Sequence, residues 1–235
     1  MLFAKLCELG LNATVALVIS LLLCAVSGYF IGGLNFGIIL SKKLYKEDVR
    51  EKGSGNAGST NMVRNYGWST GLLTLAGDLA KTALATVLGM LFFMDSGMFI
   101  AGIFCMIGHI FPVYFGFKGG KGVACFGAII LVTSIKMGQW YIFVIMLAIF
   151  LIVVLGTKYV SLGSVMCAML YPVILNRINT ALATMIPELS KLAGVEIYAV
   201  ILGLIVVIQH RSNIDRLLHG QENKLSFKKK EKKND

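Results

Sequence analysis

Residues 9–41 read LGLNATVALVISLLLCAVSGYFIGGLNFGIILS and contain no charged side chain. A helix needs roughly 20 consecutive apolar residues to cross the hydrocarbon core of a bilayer. The stretch is far longer than the apolar part of a signal peptide, which is about 7–15 residues, and no A-x-A-like cleavage site followed by a soluble protein accompanies it. We therefore expect this stretch to be retained and to contain the first membrane span.

The same apolar pattern continues along the chain. Its 235 residues are 57% hydrophobic and 14% charged, with a mean hydropathy of +0.78, whereas about a quarter of a soluble domain is charged. We predict an all-α integral membrane protein with about seven transmembrane helices and no separate soluble domain. The predicted spans lie within residues 11–41, 67–94, 97–115, 122–138, 139–157, 161–176 and 194–210.

The positions of lysine and arginine predict the orientation, because basic loops stay in the cytoplasm. One set of connections carries Lys42, Lys43, Lys46, Arg50, Lys52, Arg64, Lys118, Lys121 and Lys158. The opposite set carries Lys5, Lys136, Arg177 and Lys191. We expect the N-terminus outside and the C-terminus in the cytoplasm, with one transmembrane domain over residues 1–220 and a lysine-rich cytoplasmic tail over residues 221–235.

The net charge of +10 does not call for a nucleic-acid partner. Six lysines lie in residues 224–235, and such a tail is typical of a topology signal, with attraction to anionic lipid headgroups as a secondary role. The five cysteines are scattered, mostly inside apolar runs, without C-x-x-C spacing. Neither a disulfide framework nor a metal site is indicated.

The first informative polar stretch is residues 53–64, GSGNAGSTNMVR. Its glycines let the backbone approach a ligand closely, and Arg64 supplies a forked positive charge suited to phosphate. Ser54, Asn56, Thr60 and Asn61 add compact hydrogen-bonding groups. The alternative is a flexible loop whose arginine is only a topology signal.

The second stretch is residues 108–124, GHIFPVYFGFKGGKGVA. Its segment Gly119-Gly120-Lys121-Gly122 places free backbone N–H groups and a lysine at the start of a predicted helix, which favours an anion. It is not a Walker A loop, because Lys121 is followed by Gly122 instead of serine or threonine. The alternative is a glycine hinge with a lysine that extends to the membrane surface.

Three further features are weaker. Residues 159–164, YVSLGS, favour a helix cap when read alone. Within residues 209–218, QHRSNIDRLL, the spacing of His210 and Asn213 would place both on one helix face. Asp78 and Lys81 fall inside the second span, where ionisable groups are costly and usually paired; their spacing favours structural pairing over a direct site role.

In their order, these stretches and the following HGQENK of residues 219–224 resemble membrane-bound glycerol-3-phosphate acyltransferases that use acyl phosphate. The resemblance runs from about Gly28 to Lys224. The chain departs from it at Gly32-Gly33-Leu34-Asn35, where many members have G-S-I-P, and at Thr82, where glycine is common.

The resemblance implies seven spans in a bacterial cell membrane, with the active site facing the cytoplasm. It implies transfer of a fatty acyl group from acyl phosphate to the sn-1 hydroxyl of glycerol 3-phosphate, giving lysophosphatidic acid and phosphate, without cofactor or metal. The implied partners are both substrates, membrane lipid and the enzyme that produces acyl phosphate.

The resemblance also assigns residue roles. Catalytic roles fall to Ser54, Arg64, Lys121, His210 and Asn213. Ser161 and the loop glycines Gly119, Gly120 and Gly122 join Asn56, Thr60 and Asn61 as substrate-binding groups. Asp78, Lys81 and Glu222 are expected to be supporting residues.

Two other functions stay open at this point. His210 and Asp215 spell H-x-x-x-x-D, the pattern of acyl-CoA-dependent acyltransferases, which we interpret as accidental because it normally begins a soluble α/β domain. A channel or carrier for a small anion is the other alternative, and the concentration of charge at one membrane face counts against it.

Overall fold

The computed structural model describes residues 1–185 and 195–225, and the regular structure in those ranges is helical. The α-helices are α1 (Leu2–Glu8), α2 (Ala13–Gly32), α3 (Phe36–Leu40), α4 (Ser59–Tyr66), α5 (Trp68–Ile110), α6 (Val123–Lys136), α7 (Trp140–Thr157), α8 (Val160–Met185), α9 (Val195–Gln209) and α10 (Arg211–Leu218). The predicted all-α class is confirmed. Most of the predicted lysine-rich tail, residues 226–235, lies outside the described residues.

α5 is a helical hairpin with two antiparallel arms, residues 68–92 and 95–110. Phe93 and Met94 leave the helical region between the arms, and Met94 has a φ of 46°. The arms touch so closely that a Cβ on Gly89 would overlap the carbonyl oxygen of Gly97. The arms lie where the second and third spans were predicted.

α2 ends at Gly32, although the uncharged run continues to Ser41. The chain resumes as α3 after a break at residues 33–35, and Asn35 Oδ1 accepts from the N–H of Ile38 at 3.3 Å. Hydropathy could not locate this break because every residue around it is uncharged. The break frees the carbonyl of Leu34, which accepts a hydrogen bond from Lys81 Nζ at 2.8 Å.

α2 and α5 approach each other through small residues. A Cβ on Gly28 or Gly32 would overlap the backbone carbonyl of Ala101 or Cys105, respectively. Close helix contact through glycine and alanine is a common way to pack helices in lipid, where hydrophobicity alone provides no attraction between them. This contact fixes the α5 hairpin against the rest of the protein.

Four helical segments in the described ranges are long and apolar enough to cross a membrane: Ala13–Tyr45, Trp68–Phe115, Trp140–Thr157 and Val160–Leu182. α9 and α10, bent by 60°, form a fifth candidate, and α6 is apolar but shorter. α8 extends past residue 176, where the sixth span was expected to end. The boundary was wrong because the polar Asn179 bonds Gln139 and Glu196 within the fold, at 3.2 and 2.9 Å, and does not end the helix.

The two ends of the helical bundle have different chemistry. At one end the polar stretches of residues 53–64, 108–124, 159–164 and 209–218 meet. The N–H of Leu225 donates to the carbonyl of Lys158 at 2.7 Å at the same end. At the other end the Phe3 ring packs edge-on against Phe93, with 5.2 Å between the ring centroids. The first and last described segments therefore lie at opposite ends of the bundle.

Candidate active site

A cavity of about 580 Å³ joins the polar end of the bundle to an apolar surface formed by α5, α6 and α7. Its polar wall includes Ser54, Asn56, Thr60, Arg64, Lys121, Ser161, His210, Asn213, Arg216 and Glu222. Its apolar wall includes Leu72, Leu75, Leu79, Phe126, Gly127, Ile130, Phe143, Met146, Leu147, Phe150 and Leu151. The shape suits a ligand with an anionic head and a long apolar part.

The loop before α4 is folded around the side chain of Asn61, which is 2% exposed. Its Nδ2 donates to the carbonyls of Val49, Lys52 and Asn56 at 2.9–3.0 Å. Its Oδ1 accepts from the N–H of Ser54 at 3.0 Å. These bonds occupy the amide, so Asn61 builds the loop at the cavity wall, and its substrate contact stays a prediction.

Arg50 ties this first loop to the second polar stretch. Its Nη1 donates to the carbonyls of Phe115 and Lys118, both at 2.7 Å. Its Nε and Nη2 donate to Asp48 at 2.9 and 2.7 Å. The hydrogen bonds from Arg50, which outweigh burial, lower the pKa of the Asp48 carboxyl to about 2. Arg50 therefore fixes the loop before α4 relative to the loop before α6.

The glycine loop of the second stretch lies against His109 at the end of α5. The N–H of Gly120 donates to the carbonyl of His109 at 3.1 Å. A Cβ on Gly119 would overlap that carbonyl oxygen, and a Cβ on Gly120 would overlap Nε2 of the ring. Gly122 has a φ of 78° and leads into α6, so Lys121 is held at a helix N-terminus, where unpaired N–H groups favour anions.

A buried polar cluster supports the glycine loop. Lys81 Nζ lies 2.8 Å from Asp78 Oδ1 and 2.9 Å from His109 Nδ1. Asp78, Lys81 and His109 are each less than 5% exposed. Asp78 and Lys81 therefore form the ion pair that their spacing predicted, while Asp78 and His109 also reach the cavity wall.

The bend between α9 and α10 places His210 at the cavity. Its Nδ1 donates to the carbonyl of Val206 at 2.8 Å. Because a carbonyl can only accept, Nδ1 carries the proton and Nε2 of the neutral ring keeps its lone pair. Asn213 lies three residues further on, and its Oδ1 accepts a hydrogen bond from Lys121 Nζ.

Glu222 joins three segments of the site. Its Oε1 accepts from Ser161 Oγ at 3.0 Å and from Asn213 Nδ2 at 2.7 Å, and its Oε2 accepts from Arg216 Nε at 2.8 Å. Burial opposes its ionisation, but these hydrogen bonds outweigh burial and lower the pKa of Glu222. The sequence favoured a helix-cap role for residues 159–164. That role is wrong for Ser161, which lies inside α8 and donates to Glu222 instead.

Positive charge dominates the polar wall. Burial, together with the charges of Arg216 and Arg64, lowers the pKa of Lys121 to about 8, while the Glu222 carboxylate acts in the opposite direction. Burial also lowers the pKa of Arg64, whose Nη2 donates to the carbonyl of Asn223 at 3.1 Å. Three cations around one carboxylate make a binding site for anions.

Asp215 does not belong to this wall. Its side chain is 73% exposed, and its carboxylate lies 3.5 Å from Nδ1 of His219. The Nδ1 of His210 is instead bonded to the carbonyl of Val206. The H-x-x-x-x-D spelling therefore does not form a histidine–carboxylate dyad here, which agrees with its interpretation as accidental.

The comparisons with known proteins identify the family. A family model described as glycerol-3-phosphate acyltransferase matches residues 22–220. The chain belongs to the glycerol-3-phosphate acyltransferase family. The glycerol-3-phosphate acyltransferase of Finegoldia magna is 41% identical over 209 residues, which cover 87% of this chain and 96% of that relative. The one from Carboxydothermus hydrogenoformans is 35% identical over 213 residues, covering 89% and 98%.

Solved structures support this glycerol-3-phosphate acyltransferase assignment. The crystal structure of PlsY (YgiH), an integral membrane glycerol 3-phosphate acyltransferase, in its glycerol 3-phosphate form has a TM-score of 0.74 and 29% identity. The match covers 88% of this chain and 96% of the PlsY chain. The lysophosphatidic acid form has a TM-score of 0.71 and 28% identity. The chain is thus a membrane acyltransferase with a relative solved in both forms.

Sequence reasoning missed several residues of this acyltransferase site. Arg216 lies three residues after Asn213 and shares its helix face, so the spacing could have revealed it. His109 stood inside a quoted motif without a role. Arg50 gave no signal, because its partners are backbone carbonyls 65 and 68 residues further along the chain. Within the described residues, no three His, Cys, Asp or Glu side chains form a group that could hold a metal ion.

Proposed function

We propose that this acyltransferase takes its acyl group from a long-chain acyl phosphate and transfers it to the sn-1 hydroxyl of glycerol 3-phosphate. The products are lysophosphatidic acid and inorganic phosphate. One observation carries the proposal: the same cavity has a cationic wall for two phosphate groups and an apolar wall for an acyl chain. A nucleotide-bearing donor would need a further recognition surface.

The charged residues have a direct task in such a reaction. Both substrates are anions, and Arg64 and Lys121 would offset the repulsion between their phosphates. Ser54, Asn56, Thr60 and Ser161 would add hydrogen bonds from the walls, and backbone N–H groups from the loop of Gly119, Gly120 and Gly122 would add others. Asn213, bonded to Lys121, would hold that ammonium in place.

The chemistry needs little from the protein beyond alignment, because phosphate is already a good leaving group. The sn-1 oxygen of glycerol 3-phosphate attacks the carbonyl carbon, a carbon–oxygen ester bond forms, and the bond from that carbon to the phosphate oxygen breaks. A substrate phosphate accepts the hydroxyl proton, so no protein nucleophile is required. His210 and Asn213 orient the reacting groups. Positioning of this kind supplies much of the rate.

The proposed setting is a bacterial cell membrane with seven crossings. The N-terminus would be outside, and the active site would face the cytoplasm, where glycerol 3-phosphate is dissolved. The acyl chain would lie along α5, α6 and α7. The enzyme that produces acyl phosphate is a natural partner, because its product could pass directly into the cavity.

The test is phosphate release by purified protein. We expect phosphate to appear from palmitoyl phosphate only when glycerol 3-phosphate is present, in equal amount to lysophosphatidic acid. Palmitoyl-CoA should not replace palmitoyl phosphate. A comparable rate with the thioester would overturn the donor assignment, and anion uptake into protein-containing vesicles without acyl transfer would favour the carrier.

A further inference from the structure

The turn that leads into the glycine loop has an unusual backbone. Gly116 and Phe117 are both in the left-handed region, with φ of 66° and 57°. Bulky residues rarely adopt this conformation, and the Phe117 side chain is 57% exposed, so packing of its ring does little to hold it there. Such a conformation persists where surrounding contacts fix it. The contacts that fix this turn therefore also control where the glycine loop lies.

Arg50 provides two of those contacts from a different part of the chain. Its Nη1 donates to the carbonyl oxygens of Phe115 and Lys118, which lie on either side of the turn. The guanidinium is itself held by Asp48, whose two carboxylate oxygens accept from Nε and Nη2 at 2.9 and 2.7 Å. A guanidinium directs its five N–H groups in one rigid plane. One side chain thus joins a carboxylate of its own loop to both flanks of the turn.

Both ends of this contact lead to residues of the candidate active site. Ser54 follows Arg50 by four residues, and Lys121 follows Lys118 by three. Ser54 and Lys121 line the active-site cavity, whereas Arg50 lies outside the wall that the described residues form. Arg50 therefore acts on a bound substrate through the two loops and not by contact with it.

We propose that Arg50 is a positioning residue that sets the spacing between the loop of Ser54 and the loop of Lys121, and with it the alignment of the two anionic substrates. The inference rests on the proposed function, in which the acceptor hydroxyl must meet the acyl carbon while both phosphates are held. A displacement of about 1 Å, caused by a change far from the chemistry, costs about 100-fold in rate. Without Arg50 the turn would relax, and Lys121 would shift relative to Ser54.

A second cavity makes this role testable by chemical rescue. It has a volume of about 510 Å³ and is lined by Asp48, Arg50, Glu51, Gly55, Phe115, Gly116, Lys118 and Gly119. Glu51, Gly55 and Lys118 are exposed, so this cavity opens to solvent. Truncation of Arg50 would enlarge it, and a guanidinium ion from solution could then take the place of the missing group.

The experiment measures acyl transfer from palmitoyl phosphate by purified variants. We expect Arg50→Ala to lower kcat about 100-fold, with a smaller rise in the KM for glycerol 3-phosphate, because the phosphate-binding groups remain but are displaced. Guanidinium, at concentrations that leave the wild type unchanged, should raise the kcat of the variant severalfold. Methylammonium has the same charge but no planar fork and should not. Arg50→Lys should behave like Arg50→Ala for the same reason.

Lys52→Ala is the matched control. Lys52 lies two residues after Arg50 on the same loop and its ammonium pairs with the exposed Glu47, so its loss should leave acyl transfer nearly unchanged. Wild-type activity in Arg50→Ala would overturn the proposal. A purely structural role would appear as lowered thermal stability together with a loss of kcat that guanidinium does not reverse, and that result would overturn it as well.

Asp48→Asn covers the case in which Arg50→Ala does not fold. The variant keeps Oδ1, which accepts from the backbone N–H and Nε of Arg50, but loses the charge and the acceptor at Oδ2. We expect kcat to fall about tenfold, as for a lost hydrogen bond between charged groups; an unchanged kcat would refute the role.

Failure of the proposed function would give a different result, because the wild type would then transfer no acyl group from palmitoyl phosphate. Arg50 is in that case tested by calorimetric binding of glycerol 3-phosphate. Arg50→Ala and Asp48→Asn should both weaken the binding, and guanidinium should restore it in Arg50→Ala. Binding that is unchanged in both variants would refute the positioning role.

Discussion

At the residue scale, Lys121 links anion binding to pH. Burial and the neighbouring cations bring its pKa to about 8, whereas the second ionisation of a phosphate monoester lies near 6. Between those values the lysine is positive and the phosphate carries two charges. As pH rises through about 8, the ammonium loses its proton and the attraction weakens. We expect kcat/KM for glycerol 3-phosphate to fall above about pH 8 in assays of purified enzyme.

Variants of Lys121 test whether this lysine causes the fall in kcat/KM at high pH. Lys121→Arg should move it to higher pH, because a guanidinium keeps its proton. Lys121→Ala should raise the KM for glycerol 3-phosphate and lower kcat at retained abundance; losing a charged hydrogen bond costs about 1.5–3 kcal/mol. Lys118→Ala is the matched control, since Lys118 is exposed on the same loop and outside the cavity wall. A decline that persists in the Arg variant would belong to another group.

Asn213 and Asp215 provide a second test on one helix. Asn213 bonds both Lys121 and Glu222, so Asn213→Ala should reduce acyl transfer about tenfold or more, as expected for lost hydrogen bonds to charged groups. Asp215 is exposed and does not contact His210, so Asp215→Asn should retain most activity. The comparison uses equal amounts of membrane-embedded protein. A dead Asp215→Asn beside an active Asn213→Ala would revive the histidine–carboxylate mechanism.

The sequence could predict which residues belong to the site better than it could predict their contacts. Lys121, His210 and Asn213 were found from residue type and spacing, and all three line the cavity. Glu222 was expected only to support the fold, because a single carboxylate in a tail gives no sign that three donors will surround it. Side-chain contacts across 61 residues, as between Ser161 and Glu222, depend on the packing of helices.

At the element scale, the apolar residues alone predicted where the long helices lie, since long uncharged runs must be helical in lipid. They did not predict how closely the two arms of α5 approach each other or that α2 breaks before α3. Both features depend on close glycine contacts and on local capping, at Gly89 and Asn35 for example. Hydropathy averages over such local details.

The surface formed by α5, α6 and α7 leads to a prediction about acyl chain length. Gly127 of α6 lines the cavity, and a Cβ placed there would meet no atom within 4 Å. A side chain at this position would project into the space proposed for the acyl chain of the substrate. We expect Gly127→Leu to lower kcat/KM for palmitoyl phosphate at least tenfold while decanoyl phosphate is affected much less.

The control for this prediction is Gly156→Leu in α7. A Cβ on Gly156 also meets nothing within 4 Å, yet this residue is exposed and does not line the cavity. Gly and Leu differ by about 1 kcal/mol in helix propensity in both cases, so general effects on the helices are matched. If Gly127→Leu lowers kcat/KM equally for palmitoyl and decanoyl phosphate, the acyl chain does not lie along Gly127.

At the scale of the whole molecule, the site depends on the meeting of distant segments at one end of the bundle. Arg50 binds the loop before α6, Arg64 reaches Asn223, and Glu222 reaches Ser161. Since the first and last described segments lie at opposite ends, the chain passes along the bundle an odd number of times. An odd number of membrane crossings, seven by our proposal, fits this arrangement.

The orientation of the bundle is testable by labelling. Lys118 is exposed at the end that holds the site, and Lys136 is exposed at the far end of α6. In a Cys7→Ser background, where the other cysteines are buried, Lys118→Cys and Lys136→Cys each provide one accessible thiol. Because basic loops stay in the cytoplasm, an impermeant maleimide should label the Lys136→Cys variant in intact cells and the Lys118→Cys variant only after permeabilisation. The reverse pattern would place the active site outside, where cytoplasmic glycerol 3-phosphate could not reach it.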